Sequence, residues 1–215
     1  MRPTWLLGRY ISLGDNGVFR PLLTAAGGLA HTETITWANA QCSVKLGAGM
    51  VAVAPDQQKS YGFLPWQPGG VTYMEIGAGA QLVLTGPLSA CTVWAFRSGG
   101  TTVLVHANAN AGMNWGDMTQ LQKDANMTTK LNFVNAIKAQ YAAPADLARL
   151  VYANTPGVVG AQTYEGYQGF VLGCKSRLGF SMNKVKWVKS KAANDWTFYF
   201  YGYNSLANPA VLWVL

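Results

Sequence analysis

Glycine, proline and asparagine interrupt the first 110 residues of this chain every few positions, which leaves room for short strands but not for long helices. Between the interruptions lie short runs rich in β-branched and aromatic residues, a composition typical of strands. These runs are ETITWA (33–38), CSVKL (42–46), MVAVA (50–54), VTYMEI (71–76) and AQLVLTG (80–86). This half of the chain is therefore predicted to form sheets.

The middle of the chain has a different pattern. Residues 127–142 place Leu131, Val134 and Ile137 at helical spacing, which predicts a first helix. Pro144 suits the first turn of a second helix, predicted over 144–153. Strand-like runs then return, and they are GFVLGC (169–174), KVKWVK (184–189), WTFYFYGY (196–203) and AVLWVL (210–215).

The order of these elements predicts the fold class. With 215 residues, 50% of them hydrophobic, the chain can bury a full core, and no proline- or serine-rich linker or charge block divides it. We expect a single domain over residues 1–215. Strands, a pair of helices and strands again indicate an α+β protein, a β-sandwich of two mixed sheets with the helices packed outside.

Several function classes are disfavoured by composition and motifs. The three cysteines are an odd number without CxxC spacing, which argues against a disulfide framework and against a zinc site, so we expect no metal. The chain contains neither GxGxxG nor GxxxxGK[ST], which disfavours nucleotide binding, and we expect no cofactor. The nine acidic residues are isolated, and this argues against a glycosidase.

One hairpin brings together a scarce cysteine and a scarce histidine. The runs CTVWAF (91–96) and TTVLVH (101–106) flank RSGG, and a two-residue turn at Gly99-Gly100 would pair them tightly. With Ser98 opposite Thr101, the register places Val93 opposite His106. Cys91 and His106 then lie diagonally across the two strands on one face, with about 7–8 Å between their backbones. A slip of one residue would move His106 to the other face.

A thiol beside an imidazole can carry out nucleophilic catalysis, because the pair can exist as thiolate and imidazolium. Thr85 can hydrogen-bond to the imidazole and set its tautomer, the third role in a catalytic triad. The turn before the second strand can direct the backbone N–H groups of Ser89, Ala90 and Cys91 toward the oxyanion of a tetrahedral intermediate.

The motif LSAC (88–91), followed fifteen residues later by His106, resembles the LSGC and histidine signature of the catalytic domain of cytotoxic necrotizing factors. Thr85 resembles the threonine of the Burkholderia lethal factor type of toxin, and FLPWQPGG (63–70) is similar to the Leu-Pro-Trp block of that branch. Both families are glutamine deamidases of host proteins with a β-sandwich and outer helices. The resemblance covers about a fifth of the chain.

The resemblance implies that Cys91 is the nucleophile, His106 the general acid and base, and Thr85 the orienting group. It implies a bacterial toxin or effector that converts a glutamine of a host protein to glutamate through a thioester. Ala90 stands where the family has glycine, so a backbone torsion that needs glycine there would be strained. The Cys-to-His spacing matches one branch and Thr85 the other, so neither branch's substrate is transferred.

A basic segment follows the last candidate site residue. Six of the sixteen basic residues lie between positions 175 and 191, without one acidic residue among them. The segment can dock an acidic partner through Lys184, Lys186, Lys189 and Lys191. The alternative is a solvated strand face whose lysines protect a sheet edge.

Two other functions fit the same residues. A cysteine protease or a transglutaminase would use the same thiol and the same type of intermediate. A non-catalytic, lectin-like β-sandwich would instead bind a ligand on exposed rings of Trp66, Trp115 or Trp187.

The N-terminal residues contain no signal-peptide core, so we expect synthesis in the bacterial cytosol, export by another route and action in the host cytosol. The partner expected is a host protein with an accessible glutamine. Despite the net charge of +7, we expect neither a nucleic acid nor a membrane partner, and a monomer.

Overall fold

The computed structural model of the protein describes residues 12–13, 19, 32–47, 50–108, 114–155, 158–175, 196–204 and 207–215. Two α-helices lie in these ranges, α1 (Trp37–Ala40) and α2 (Gln120–Lys138). The strands are β1 (Ser12–Leu13), β2 (Thr32–Thr34), β3 (Gln41–Gly47), β4 (Met50–Pro55), β5 (Tyr61–Leu64), β6 (Val71–Ile76), β7 (Leu82–Leu88), β8 (Thr92–Ser98), β9 (Thr101–Ala107), β10 (Ala145–Val151), β11 (Gln162–Thr163), β12 (Gln168–Lys175), β13 (Trp196–Asn204) and β14 (Ala207–Val214).

The strands form two sheets. The larger has eight strands in the order β1-β4-β3-β5-β7-β12-β13-β14, and the smaller has six in the order β11-β10-β8-β9-β6-β2. Both are mixed, because β5 and β7 pair in parallel in the larger sheet and β2 and β6 do so in the smaller, whereas most other pairs are antiparallel. The predicted fold class, an α+β sandwich of two mixed sheets, is confirmed.

The main core lies between the two sheets. We call it the inner core, and its buried side chains come from both sheets: Leu64, Val83 and Phe200 from the larger, Val93 and Leu104 from the smaller. Because side chains alternate along a strand, the neighbours of these residues face outward.

Helix α2 covers the outer face of the smaller sheet. The side chains that meet there are Met127, Val134 and Ile137 of the helix and Trp94, Phe96, Val103 and Val105 of β8 and β9. The prediction of helices outside the sandwich is thus confirmed for α2. The helix begins seven residues before the predicted start at residue 127, at a capping box in which Thr119 and Gln122 satisfy each other's backbone N–H groups.

The second predicted helix is wrong. Residues 145–151 form strand β10, which pairs with β8 so that Leu150 lies opposite Val93. Ala148 and Leu150 are buried in the inner core, whereas Arg149 between them is only half-buried. A seven-residue run of this kind fits either a helix or a strand, and pairing with β8 decides the outcome.

The predicted strand over 33–38 is also wrong in its second half. Strand β2 ends at Thr34, and Thr36 then caps α1 by accepting a hydrogen bond from the Asn39 N–H at 3.4 Å. The other predicted strands lie within observed strands to within two residues, except 184–189, which lies outside the described residues. Neither α-helix in the described ranges has the length and apolar composition that a membrane span requires.

The β8–β9 hairpin has the predicted two-residue turn. Ser98 lies opposite Thr101, and Gly99 has φ of 54°. A positive φ at only the first of the two central residues is the pattern of a type II′ turn, which places glycine there. The turn therefore sets a register in which Val93 lies opposite His106, as predicted.

The two turn glycines provide a matched test of this register. A Cβ added to either would meet nothing within 4 Å, but only Gly99 has a positive φ. We expect Gly99→Ala to lower the free energy of unfolding by about 1 kcal/mol, because an L-residue is strained in the left-handed region. Gly100→Ala should be neutral or slightly stabilising. Urea unfolding of the two variants measures this, and equal effects would contradict the assigned turn.

Candidate active site

The site residues lie at one end of the inner core, where the two sheets face each other. Cys91 belongs to that core, and His106 pairs with Val93, whose side chain is also in it. Thr85 comes from the larger sheet, in which Leu84 faces outward and Val83 inward, so Thr85 also faces inward. The three residues predicted from the sequence therefore converge from both sheets.

A chain of two hydrogen bonds sets the tautomer of His106. Thr85 Oγ1 lies 2.7 Å from His106 Nδ1 and donates to the Leu64 carbonyl oxygen at 2.8 Å. A hydroxyl has only one proton, and a carbonyl can only accept, so that proton points at Leu64. Thr85 Oγ1 must then accept from the Nδ1–H group of His106. The proton lies on Nδ1 and the lone pair on Nε2, which is the tautomer a general base needs.

Burial keeps this imidazole neutral. His106 is 0% exposed, and its Nε2 has no hydrogen-bond partner among the described residues. Burial lowers the pKa of His106 from 6.5 to about 3, and the nearby Lys130 ammonium lowers it further in the same direction. At neutral pH the ring is a neutral acceptor.

The Cys91 thiol is also held in its neutral form. The residue is 2% exposed, and its Sγ donates a long hydrogen bond of 3.6 Å to the Ser89 carbonyl. Burial raises the pKa of the thiol, and the charge of Lys130 opposes that rise. The thiolate–imidazolium pair expected from the sequence is therefore disfavoured in the resting site, because burial favours the uncharged form of both groups.

Ala90, which stands where the LSGC signature has glycine, adopts the left-handed backbone conformation. Its φ is 57°, in the left-handed region that disfavours residues with a Cβ. The side chain of Lys130 donates a hydrogen bond to the Ala90 carbonyl oxygen. The turn that presents Cys91 thus contains a strained alanine whose carbonyl is held by a helix from outside the sheet.

The Tyr164 hydroxyl hydrogen-bonds to both backbone polar groups of Cys91, the candidate nucleophile. The hydroxyl accepts from the Cys91 N–H at 2.7 Å and donates to the Cys91 carbonyl at 2.9 Å. The Cys91 N–H, predicted as an oxyanion donor, is therefore occupied by Tyr164 in this structure. The roles of the Ser89 and Ala90 N–H groups stay predictions. Burial raises the pKa of Tyr164 well above 10, so its hydroxyl keeps the proton that it donates.

Lys130 was not identified from the sequence, although a signal was present. Met127, Lys130, Val134 and Ile137 follow helical spacing and are all buried, so the lysine lies within an apolar stripe. Lys130 is 0% exposed, and burial lowers its pKa from 10.5 to about 8, whereas Cys91 acts in the opposite direction. Tyr164 lies in an irregular segment just after β11, and no sequence pattern indicates its role.

The tryptophans and lysines proposed from the sequence as binding residues are partly buried or lie outside the described residues. Trp66 and Trp115 are half-buried, and Trp187 lies outside the described residues. Lys184, Lys186, Lys189 and Lys191 lie outside them too, so their role in partner binding stays a prediction.

The two remaining cysteines are packing residues. Cys42 and Cys174 are free thiols buried with Leu82 and Leu84 on the outer face of the larger sheet. Burial raises the pKa of each to about 12, with Asp56 adding to the effect at Cys42.

A comparison of the sequence with protein-family models and with curated proteins finds no match. The functional assignment therefore rests on the geometry of the site and on the motif resemblance. Among the described residues, no three histidine, cysteine or acidic side chains are grouped as a metal site requires.

The burial of His106 should be measurable as acid sensitivity. Its pKa is near 6.5 in the unfolded chain and about 3 in the folded protein, so the unfolded state binds more protons between these values. The contribution of His106 to the free energy of unfolding is fully present above pH 6.5. It decreases as the pH falls, by up to about 1.4 kcal/mol per pH unit. Urea unfolding between pH 7 and pH 4 measures the slope.

The matched variant for this measurement is His106→Asn, whose amide nitrogen can replace Nδ1 as donor to Thr85 but does not titrate in this range. We expect a shallower pH dependence for it than for the native chain. His31→Asn, at the other histidine of the chain, is the comparison variant for the loss of an imidazole as such. Parallel pH profiles for His106→Asn and the native protein would contradict a buried, neutral imidazole.

Proposed function

We propose that this protein is a cysteine-dependent glutamine deamidase, a bacterial toxin or effector that converts a glutamine of a host protein to glutamate. The observation that carries the proposal is the hydrogen bond between Thr85 Oγ1 and His106 Nδ1. It leaves a neutral Nε2 lone pair on the sheet face that Cys91 shares. The LSAC motif and Thr85 resemble glutamine deamidases, which gives the proposal its reaction class.

The reaction starts from a neutral pair. His106 Nε2 takes the thiol proton as Sγ attacks the carboxamide carbon, and the carbonyl oxygen becomes an oxyanion. The carbon–nitrogen bond then breaks, and His106 returns the proton so that ammonia leaves and a thioester remains. Water attacks the thioester with His106 again as base, the carbon–sulfur bond breaks, and the thiol regains its proton. The products are glutamate and ammonia.

The resting thiol must turn before it can react. Its Sγ donates to Ser89, and Nε2 has no partner among the described residues, so the two are not hydrogen-bonded in this state. A change of the Cys91 χ1 angle between staggered positions would turn Sγ away from Ser89. Catalytic hydrogen bonds are often loose in the absence of substrate and tighten in the complex.

The burial of the site supports a side-chain carboxamide as the substrate group. Cys91 is 2% exposed and His106 is 0% exposed, so the reacting group must be narrow and must enter through a local opening. A primary carboxamide at the end of a glutamine side chain has one substituent and a flexible stem. A main-chain peptide bond has chain on both sides and fits a buried thiol less well.

The setting of the proposed activity follows from the resemblance. The enzyme would be made in the bacterial cytosol, exported and active in the host cytosol on a folded protein with an accessible glutamine. The hydrolysis needs only the thiol, the imidazole and water, and so requires no cofactor. Lys184, Lys186, Lys189 and Lys191 are candidates for docking an acidic surface of the substrate.

The activity can be tested in host-cell lysate. We expect the native protein to convert glutamine to glutamate at defined positions, read by mass spectrometry, and Cys91→Ser to abolish the conversion. Cys42→Ser and Cys174→Ser are matched controls that should retain it, because both thiols lie on the outer face of the larger sheet. Conversion that survives in Cys91→Ser would end the assignment. Peptide cleavage, or incorporation of an added amine, would instead identify a protease or a transglutaminase.

Two threonines give a matched test of the orienting role. Thr85→Val removes the hydroxyl that holds His106 and should lower kcat by about 10²-fold, within the range that general acid–base catalysis contributes. It should also lower the free energy of unfolding by about 1–3 kcal/mol, since the Nδ1–H group and the Leu64 carbonyl lose their partner.

Thr92→Val is the control, because the Thr92 hydroxyl is buried without a partner among the described residues. Its removal should leave activity unchanged and be neutral or stabilising. Equal loss of activity in the two variants would contradict the role assigned to Thr85.

A further inference from the structure

We propose that Lys130 is a positioning residue of this site, which holds the turn that presents Cys91 and supplies the positive charge beside which the Cys91 thiolate forms. The catalytic consequence rests on the proposed function. The effect of Lys130 on the Cys91 thiol does not rest on the proposed function, because that effect is a property of the protein without substrate.

The geometry connects helix α2 directly to the nucleophile turn. Lys130 lies on the sheet-facing side of α2 among Met127, Val134 and Ile137. Its Nζ extends to the Ala90 carbonyl oxygen, in the peptide group that joins Ala90 to Cys91. The same Nζ lies 5.4 Å from the centroid of the Trp115 ring, an arrangement that favours a cation.

A lysine in this position is unfavourable for stability alone. Removing an ammonium group from water is costly, and an apolar side chain of similar volume often stabilises a buried site better. Methionine would fit the apolar stripe and leave no buried charge. A buried lysine beside a candidate nucleophile is therefore better explained by the chemistry of the site than by packing.

The hydrogen bond from Lys130 also explains how Ala90 keeps its conformation. An alanine in the left-handed region is strained by about 1–2 kcal/mol, and such strain persists where the surroundings hold the backbone in place. Lys130 holds the carbonyl on one side of the peptide group, and Tyr164 accepts from the N–H of that same group. Both polar atoms of the Ala90–Cys91 peptide group are thus fixed.

The charge of Lys130 acts on two partners with opposite results. The titratable or charged groups around it are Cys91 in the turn, His106 on β9, Tyr164 beside Cys91, and Lys123, whose Nζ lies 5.7 Å from the Trp115 ring. A positive charge favours the Cys91 thiolate and disfavours the His106 imidazolium. The imidazolium formed during attack is then a stronger acid, which favours transfer of its proton to the amino group of the tetrahedral intermediate, and this group leaves as ammonia when the carbon–nitrogen bond breaks.

Alkylation of the native protein tests the charge effect without any substrate. Iodoacetamide has a primary carboxamide, and the rate at each cysteine can be read separately by peptide mass spectrometry. We expect Cys91 to react faster than the buried references Cys42 and Cys174. Lys130→Met should slow the Cys91 reaction at pH 7 about tenfold, as for a rise of one unit in the thiol pKa, and shift its pH profile upward.

The matched variant is Lys130→Arg, which retains the positive charge and should stay within about threefold of the native rate. A merely structural lysine would leave the pH profile of Cys91 unchanged in Lys130→Met. That result, or alkylation no faster at Cys91 than at the two references, would overturn the proposal.

A second measurement follows the pKa of Lys130 itself and does not require that Lys130→Met folds. The titration of Lys130 can be followed by NMR of lysine labelled at Cε, with the signal assigned by its absence in Lys130→Arg. We expect the Lys130 pKa to be higher in Cys91→Asp, which places a carboxylate where the thiolate would form, than in Cys91→Ser, because a nearby negative charge favours the ammonium. Equal values in the two variants would show that the two groups are not coupled and would overturn the proposal.

The outcomes separate this inference from the proposed function. Slower alkylation of Lys130→Met, together with no glutamine conversion by the native protein, would support the role of Lys130 and refute the deamidase. Glutamine conversion by the native protein, together with an unchanged alkylation profile in Lys130→Met, would support the deamidase and refute the role of Lys130. If the proposed function and the role of Lys130 are both correct, kcat for deamidation should fall together with the alkylation rate in Lys130→Met and recover in Lys130→Arg.

Discussion

The two-residue turn at Gly99-Gly100 is the constraint on which the site depends. It pairs Val93 with His106, and the strict alternation of side chains then assigns every residue of β8 and β9 to the inner core or to the face covered by α2. A shift of one residue would place the imidazole under the helix and the apolar residues of the outer face between the sheets. The hydrophobic pattern and the candidate chemistry are therefore fixed by the same register.

The hydrogen bond between Thr85 and His106 crosses from one sheet to the other. Its geometry exists only when the sandwich is closed, because Thr85 lies on β7 of the larger sheet and His106 on β9 of the smaller. The tautomer of the imidazole thus depends on packing between sheets as well as on neighbours within a sheet. A candidate active site of this kind is a property of the assembled core and cannot form in an isolated hairpin.

Local rules account for the parts of the site that could be predicted from the sequence, namely the turn and the register. Tertiary contacts account for what could not. The pattern of residues 145–151 also fits a helix, and only pairing with β8 decides for a strand. The apolar stripe of α2 indicates that Lys130 is buried, but its contact with Ala90 follows only from the packing of α2 on the outer face of the smaller sheet. The neutral state of Cys91 and His106 also follows from burial, which spacing does not reveal.

Lys130 and Ala90 share one hydrogen bond, although forty positions separate them in the chain. The effect of changing either residue must therefore depend on which residue occupies the other position, so the two effects will not add. With glycine at position 90 the turn would need less support from the helix, and loss of the lysine would then be better tolerated. If Ala90 is replaced by glycine and Lys130 is also lost, the order of the two changes decides whether the protein with only the first change keeps an ordered turn before Cys91.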